Sequence, residues 1–195
     1  GTMYLDNVRV RKVIEEGVCD VGEYIKYPEN KPSIKIKDSQ TVIDYFSMDD
    51  GVDSKVIFEN QKHYFSAEED NLTEGKYLRV KKHTARGYAG GEYFITPLGG
   101  DVRLDFQVCI FSPDTEIEML LHPEGRQSVL TQIIFRDGVL SVGDHMEKVA
   151  ELDCNKWYNI TILLDMHNNQ YDVLLNDEIA VRNVKISQKS GTLGS

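Results

Sequence analysis

The sequence predicts an all-β fold, a sandwich of two antiparallel sheets, and three observations carry that expectation. The dominant apolar period is two rather than 3.6. The apolar runs are short, closely spaced and divided by turn signals. The only helix-like stretch, around residues 11–17, is brief. A chain of 195 residues fits one domain, or one domain with a short extra piece. That length buries a core without metals or disulfides as staples.

Taken in order, residues 3–10 read as a strand. Residues 11–40 are charged and irregular, with Pro28 and Pro32 close together, and read as a linker or an extended wrap. The chain therefore divides into 1–40, a strand plus linker, and 41–195, the sandwich. Within the second part, 41–46, 56–58, 77–80 and 93–95 read as short strands. Val102, Leu104, Phe106, Val108 and Ile110 then alternate with Arg103, Asp105, Gln107 and Cys109, the pattern of a strand with one face in a core and one polar face. Residues 116–121 repeat the pattern more weakly. Residues 129–135 form a mostly apolar strand, and the Asp137-Gly138 pair turns it into 140–142 as a hairpin. Residues 157–164, 171–175, 179–181 and 184–186 complete the series, with polar turns at 165–170 and 176–177.

Composition excludes several functions. Lys and Arg total 22 against 32 Asp and Glu, a net charge of −10, which repels nucleic-acid backbones and anionic membranes. No apolar run approaches the ~20 residues of a membrane span, and no signal peptide is visible. The chain reads as excised from something larger, with Gly1-Thr2 and Leu193-Gly194-Ser195 as cloning remnants. Cys19, Cys109 and Cys154 suit neither a zinc site nor a redox pair. Cys109 and Cys154 stand in apolar patterns and read as buried thiols. Gly87, Gly90 and Gly91 lack the partners of a phosphate loop. There is no G-x-S-x-G elbow, no H-E-x-x-H pair and no EF-hand spacing around Asp49 and Asp50. Glycan-cleaving enzymes survive these exclusions, because their residues come from separate strands.

Two segments carry polar chemistry. Residues 81–93 mix Lys81, His83, Arg86, Tyr88 and Tyr93 with three glycines. Planar donors beside aromatic rings suit a sugar, and the cations suit an acidic one; a solvated turn is the other reading. Arg103, Asp105 and Gln107 form a fork of donors and acceptors at two-residue spacing. The other reading of that row is a solvated face. Asn71-Leu72-Thr73 and Asn159-Ile160-Thr161 match glycosylation acceptors, as chance matches would.

From Thr41 onward the order of elements resembles the bacterial concanavalin A-like, laminin G-like jelly-roll domains. The stretches that carry the resemblance are Phe135-Arg-Asp-Gly-Val-Leu-Ser-Val, Asn155-Lys-Trp-Tyr-Asn-Ile-Thr-Ile-Leu-Leu-Asp165 and Tyr171-Asp-Val-Leu-Leu-Asn-Asp177. Asp177 stands where the family usually has Gly, a departure that touches only the turn. The resemblance spans about three quarters of the chain and is more specific for fold than for function. It implies a two-sheet antiparallel jelly-roll sandwich, a buried Trp157, and a ligand on the concave face with Arg103, Asp105 and Gln107. It also implies a structural Ca²⁺ where first and last strands meet, for which Asp6, Asp44, Asp49 and Asp50 are the candidate ligands.

The family ends on a strand of the type Y-hydrophobic-D-N-hydrophobic, and here Tyr4-Leu5-Asp6-Asn7-Val8 shows that pattern at the other end. Either it is the last strand of a preceding domain, or it completes this sandwich by permutation or by exchange with a neighbouring copy. The functional expectation is a non-catalytic carbohydrate-binding module of a larger extracellular or cell-surface protein, whose partner is a polysaccharide or oligosaccharide. A polysaccharide lyase or glycoside hydrolase on the same scaffold is one alternative, although the family's R-x-E-x-R strand is absent and only Glu116 and Glu118 pair on one strand face. A structural or adhesion domain without glycan is another.

Overall fold

A computed structural model of the chain describes residues 2–12, 41–46, 56–57, 65–69, 76–81, 92–93, 98–124, 128–187 and 192–193. Among these there is no helix. The strands, in chain order, are β1 (Thr2–Lys12), β2 (Thr41–Phe46), β3 (Val56–Ile57), β4 (Phe65–Glu69), β5 (Lys76–Lys81), β6 (Glu92–Tyr93), β7 (Leu98–Gly99) and β8 (Asp101–Ile110). They continue with β9 (Ile117–Leu121), β10 (Thr131–Arg136), β11 (Val139–Val142), β12 (Glu147–Glu151), β13 (Trp157–Asp165), β14 (Gln170–Leu175), β15 (Glu178–Lys185) and β16 (Thr192–Leu193).

The larger sheet has eight strands in the order β15-β14-β13-β8-β1-β5-β4, with β2 also paired to β1. The smaller sheet is a four-stranded meander, β12-β11-β10-β9, and all pairings are antiparallel. The fold is a two-sheet β-sandwich whose sheets do not close into a barrel. The chain crosses from the larger sheet to the smaller after β8 and returns after β12. Every second residue of β8 and β13 enters the core between the sheets: Val102, Leu104, Phe106, Val108 and Ile110, and Tyr158, Ile160, Ile162 and Leu164. Leu121, Ile133, Phe135, Leu140 and Val142 meet them from the smaller sheet. A polar tie crosses this core, between the Thr131 and Tyr171 hydroxyls at 2.6 Å. Burial pushes the Tyr171 phenol up to about 12, with the carboxylates of Glu147 and Asp144 adding to the rise against the Thr131 hydrogen bond.

The turns follow from residues that accept a left-handed backbone. Asp137 and Gly138, at φ 52° and 73°, close β10 to β11, and Asn176 and Asp177, at 51° and 69°, close β14 to β15. Positive φ at both central residues matches the right-handed twist of the strands they join. Between β13 and β14, Asp165 accepts hydrogen bonds from the Asn168 backbone N–H at 2.8 Å and from its side-chain amide at 2.7 Å. The Tyr158 hydroxyl accepts from the backbone N–H of Asp153 at 2.9 Å and so anchors the return from the smaller sheet.

Several expectations change. Arg11 and Lys12 continue β1 as strand rather than opening a helix; residues 13–40 lie outside the described residues. Residues 179–181 and 184–185 belong to one strand, β15, which ends before Ile186, bulges against β14 and carries Asn183 at φ 56°. β12 was not expected, because its face is mostly exposed and shows little alternation. Cys109 is buried, whereas Cys154 is only half-buried in the turn before β13. Thr2 opens β1, and Leu193, only 1% exposed, pairs with Leu98 and joins the core.

Candidate functional site: the polar face of the larger sheet

The residues of β8 that skip the core make up the second face of the larger sheet. Arg103, Asp105 and Gln107 are each 0% exposed. Their neighbours across the strand pair on β13 are Leu163, Thr161 and Asn159, while Cys109 stands opposite Trp157. Strand alternation therefore places Trp157, Asn159 and Thr161 on this face and Tyr158, Ile160 and Ile162 in the core. Trp157 and Cys109 form a small apolar cluster of their own, separate from the core between the sheets. Trp157 is buried, as the resemblance implied, but on the polar side.

Asp105 is the hub of the face. Its Oδ1 and Oδ2 accept from Arg103 Nε at 2.9 and 3.1 Å, and Oδ1 also accepts from the Thr161 hydroxyl at 2.8 Å. Arg103 Nη2 lies 2.9 Å from Oδ1. Residues two apart on one strand share a face, and that spacing lets the guanidinium lie along the carboxylate. Beside this network, Asn159 is 1% exposed, and neither end of its side-chain amide has a hydrogen-bond partner among the described residues. Its backbone is fixed: its N–H donates to Asn176 Oδ1 at 3.0 Å, and its C=O accepts from Asn176 N–H at 2.8 Å. The buried amide thus keeps donor and acceptor capacity to spare on a strand whose backbone is pinned.

β1 runs along the other side of β8. Asp6 pairs with Gln107, Arg9 with Asp105 and Arg11 with Arg103.

The other expected residues distribute as follows. His83, Arg86 and Tyr88 lie outside the described residues, and Tyr93 sits on β6, paired with Val56. Of the candidate calcium ligands, Asp6 and Asp44 are not neighbours. Asp44 pairs with Val10, four β1 positions from Asp6, roughly 13 Å along the strand. Asp49 and Asp50 lie outside the described residues. Among the described residues no group of three or more His, Cys, Asp or Glu side chains is placed to hold a metal. Glu116 is ion-paired with Arg136 on the exposed edge of the smaller sheet, and Glu118 is exposed.

The solvated-face reading of Arg103, Asp105 and Gln107 does not hold, because all three are closed to solvent. Sequence reasoning missed Asn159 and Thr161 as members of the same face. The signal was present in the alternation of β13, but Asn159-Ile160-Thr161 also matches a glycosylation acceptor. Burial of both side chains leaves no room for a glycan to be attached there.

Comparison with protein-family models, with curated proteins and with solved structures finds no match. The functional reading of this chain rests on its own geometry.

Proposed function

We propose that the protein is a non-catalytic carbohydrate-binding β-sandwich module of the laminin G-like type, working as part of a larger extracellular or cell-surface protein. The observation that carries the reading is the buried Asn159 amide, without a side-chain hydrogen-bond partner beside the Arg103–Asp105–Thr161 network. An apolar face would serve stability about as well, since replacing a buried ion pair by packed apolar residues is often neutral or stabilising. A face that keeps fixed donors and acceptors at strand spacing suits the hydroxyls of a sugar, which ask for both. The reading requires the face to open for its ligand, because its central groups have no exposed surface.

The test is an affinity-gel and glycan-array screen of the whole chain, with and without calcium and including acidic polysaccharides, with absorbance followed at about 235 nm for unsaturated uronate. Retardation by a glycan that weakens at least tenfold in Asn159→Ala, with no new absorbance, supports the module. A growing absorbance replaces it with a lyase.

The complete burial of Arg103, Asp105 and Gln107 favours a second reading, a structural or adhesion domain in which the polar network only locks β8 to β13. No glycan binding, together with normal folding, selects that reading.

A further inference from the structure

We propose that the sugar ring received at Asn159 carries no charge, so that the module takes polysaccharides free of carboxylate and sulfate groups. This selectivity rests on the carbohydrate-binding reading and adds to it the class of ligand. Strand register carries it. Alternation sends Phe106 and Val108 of β8, Tyr158 and Ile160 of β13, and Tyr171 and Val173 of β14 into the core, so the residues between them share the other face. On that face the pairings set out rows across the strands. Trp157 stands beside Cys109, and Asn159 beside Gln107 with Asp6 beyond it. Thr161 stands between Asp105 and Leu174, and Leu163 between Arg103 and Asp172. The arginine positions of β1 and β8 fall in these last two rows, since Arg9 pairs with Asp105 and Arg11 with Arg103. On β1, β8 and β13 no cation stands in the row of Asn159 or in the row of Trp157. Arg79 of β5, opposite Tyr4, is three strands from Trp157, about 14 Å across the sheet. Lys156 is turned elsewhere, 3.5 Å from Asp153 and 5.2 Å from the centre of the Tyr158 ring.

Burial turns this arrangement into a preference. Asn159 is 1% exposed and Gln107 0%, so a group that reaches the amide leaves water behind. An ionised carboxylate or sulfate then carries a desolvation cost that only a close opposite charge offsets. Arg103, the buried cation of this face, already lies along Asp105 at 2.9 Å. A sugar hydroxyl needs only a donor and an acceptor, and the Asn159 amide has both uncommitted among the described residues. Rows on one face lie about 7 Å apart along a strand. An acid group on the ring held at Asn159 would therefore fall among Gln107, Cys109, Trp157 and Thr161, none of them cationic. The net charge of −10 also works against acidic polymers on approach.

The test keeps the polymer backbone constant and changes its charge. The whole chain is run through affinity gels that carry polygalacturonate or alginate, the same polymers after carboxyl reduction to the alcohol, and neutral β-glucan, xylan and galactomannan, each at low and at high salt. The expected result is retention by uncharged polymers alone, unchanged by salt and weakened about tenfold in Asn159→Ala. The comparison of each acidic polymer with its reduced form uses the unmodified chain, so it reads the preference even where Asn159→Ala does not fold. Retention of an acidic polymer over its reduced form, lost at high salt, overturns the proposal and leaves the module reading in place. Retention by uncharged polymers that a folded Asn159→Ala chain keeps in full overturns the assignment to Asn159. If no polymer is retained, the module reading itself fails and the proposal falls with it.

Discussion

Asp105 decides the energetics of the polar face. It is a buried carboxylate that neutralises a buried guanidinium and receives a hydroxyl at the same time. Asp105→Ala removes the carboxylate that lies along the buried Arg103 guanidinium and is expected to lower stability by about 3–5 kcal/mol, measured by urea unfolding. The double variant Arg103→Leu/Asp105→Leu removes both charges and is expected to recover most of that loss; failure to recover would mean that the ion pair itself holds the strands. Tyr171 makes a different kind of statement. Its phenol is pushed up to about 12 in the folded chain, from an ordinary value of 10.0. The unfolded chain therefore ionises first, so the stabilising preference for the neutral phenol is complete below pH 10.0 and is lost as pH climbs through about 12. Tyr171→Phe leaves the Thr131 hydroxyl without its partner, at about 1–2 kcal/mol near neutral pH. It is expected to lose less stability than the parent over that alkaline window, which paired unfolding curves would show.

The strands were readable where one side faced a core and the other did not. In β8 and β13 the alternation of apolar and polar residues marks both the strand and its register, and the Asp137-Gly138 and Asn176-Asp177 turns mark where the chain reverses. β12 and the join within β15 were not readable, because Glu147–Glu151 and the middle of Glu178–Lys185 face solvent and carry little periodic signal. The site was half readable. Arg103, Asp105 and Gln107 declare a polar face, but no local pattern tells a solvated row from a sealed one. That depends on what the rest of the chain lays across it. Asn159 was hidden for another reason: a buried amide without a partner can be recognised only after its neighbours are placed. The turns also offer a test. Asp177 holds φ 69°, a conformation that disfavours a residue with a Cβ. Asp177→Gly is expected to stabilise the hairpin by up to about 1 kcal/mol in urea unfolding; no gain would mean that the contacts of the Asp177 side chain offset its backbone strain.

At the scale of the whole molecule, the N-terminal strand is the seam of the larger sheet. Eleven residues at one end of the chain bridge strands that otherwise belong to two groups. Removing residues 1–12 is expected to lower the unfolding temperature and to raise light scattering on storage, because the β8 edge would then be open along its length. A truncated chain that melts and scatters like the parent would show that β8 does not depend on that strand. The smaller sheet closes the core from the other side with its own local meander, so its hairpins do not wait for the N-terminus to arrive. The two sheets thus differ in how they assemble: one from neighbours in sequence, the other from both ends of the chain.

Trp157 gives that difference an optical signature. It is the chain's single tryptophan, packed with the Cys109 thiol on the side of the larger sheet away from the core. The next residue, Tyr158, is buried in the core itself. Indole emission therefore watches the polar side alone, dimmed by the adjacent sulfur while the strands around it stay together. Any event that lifts that side open, whether a ligand entering or an end strand leaving, should brighten and red-shift the emission while the core beneath keeps its ultraviolet circular dichroism.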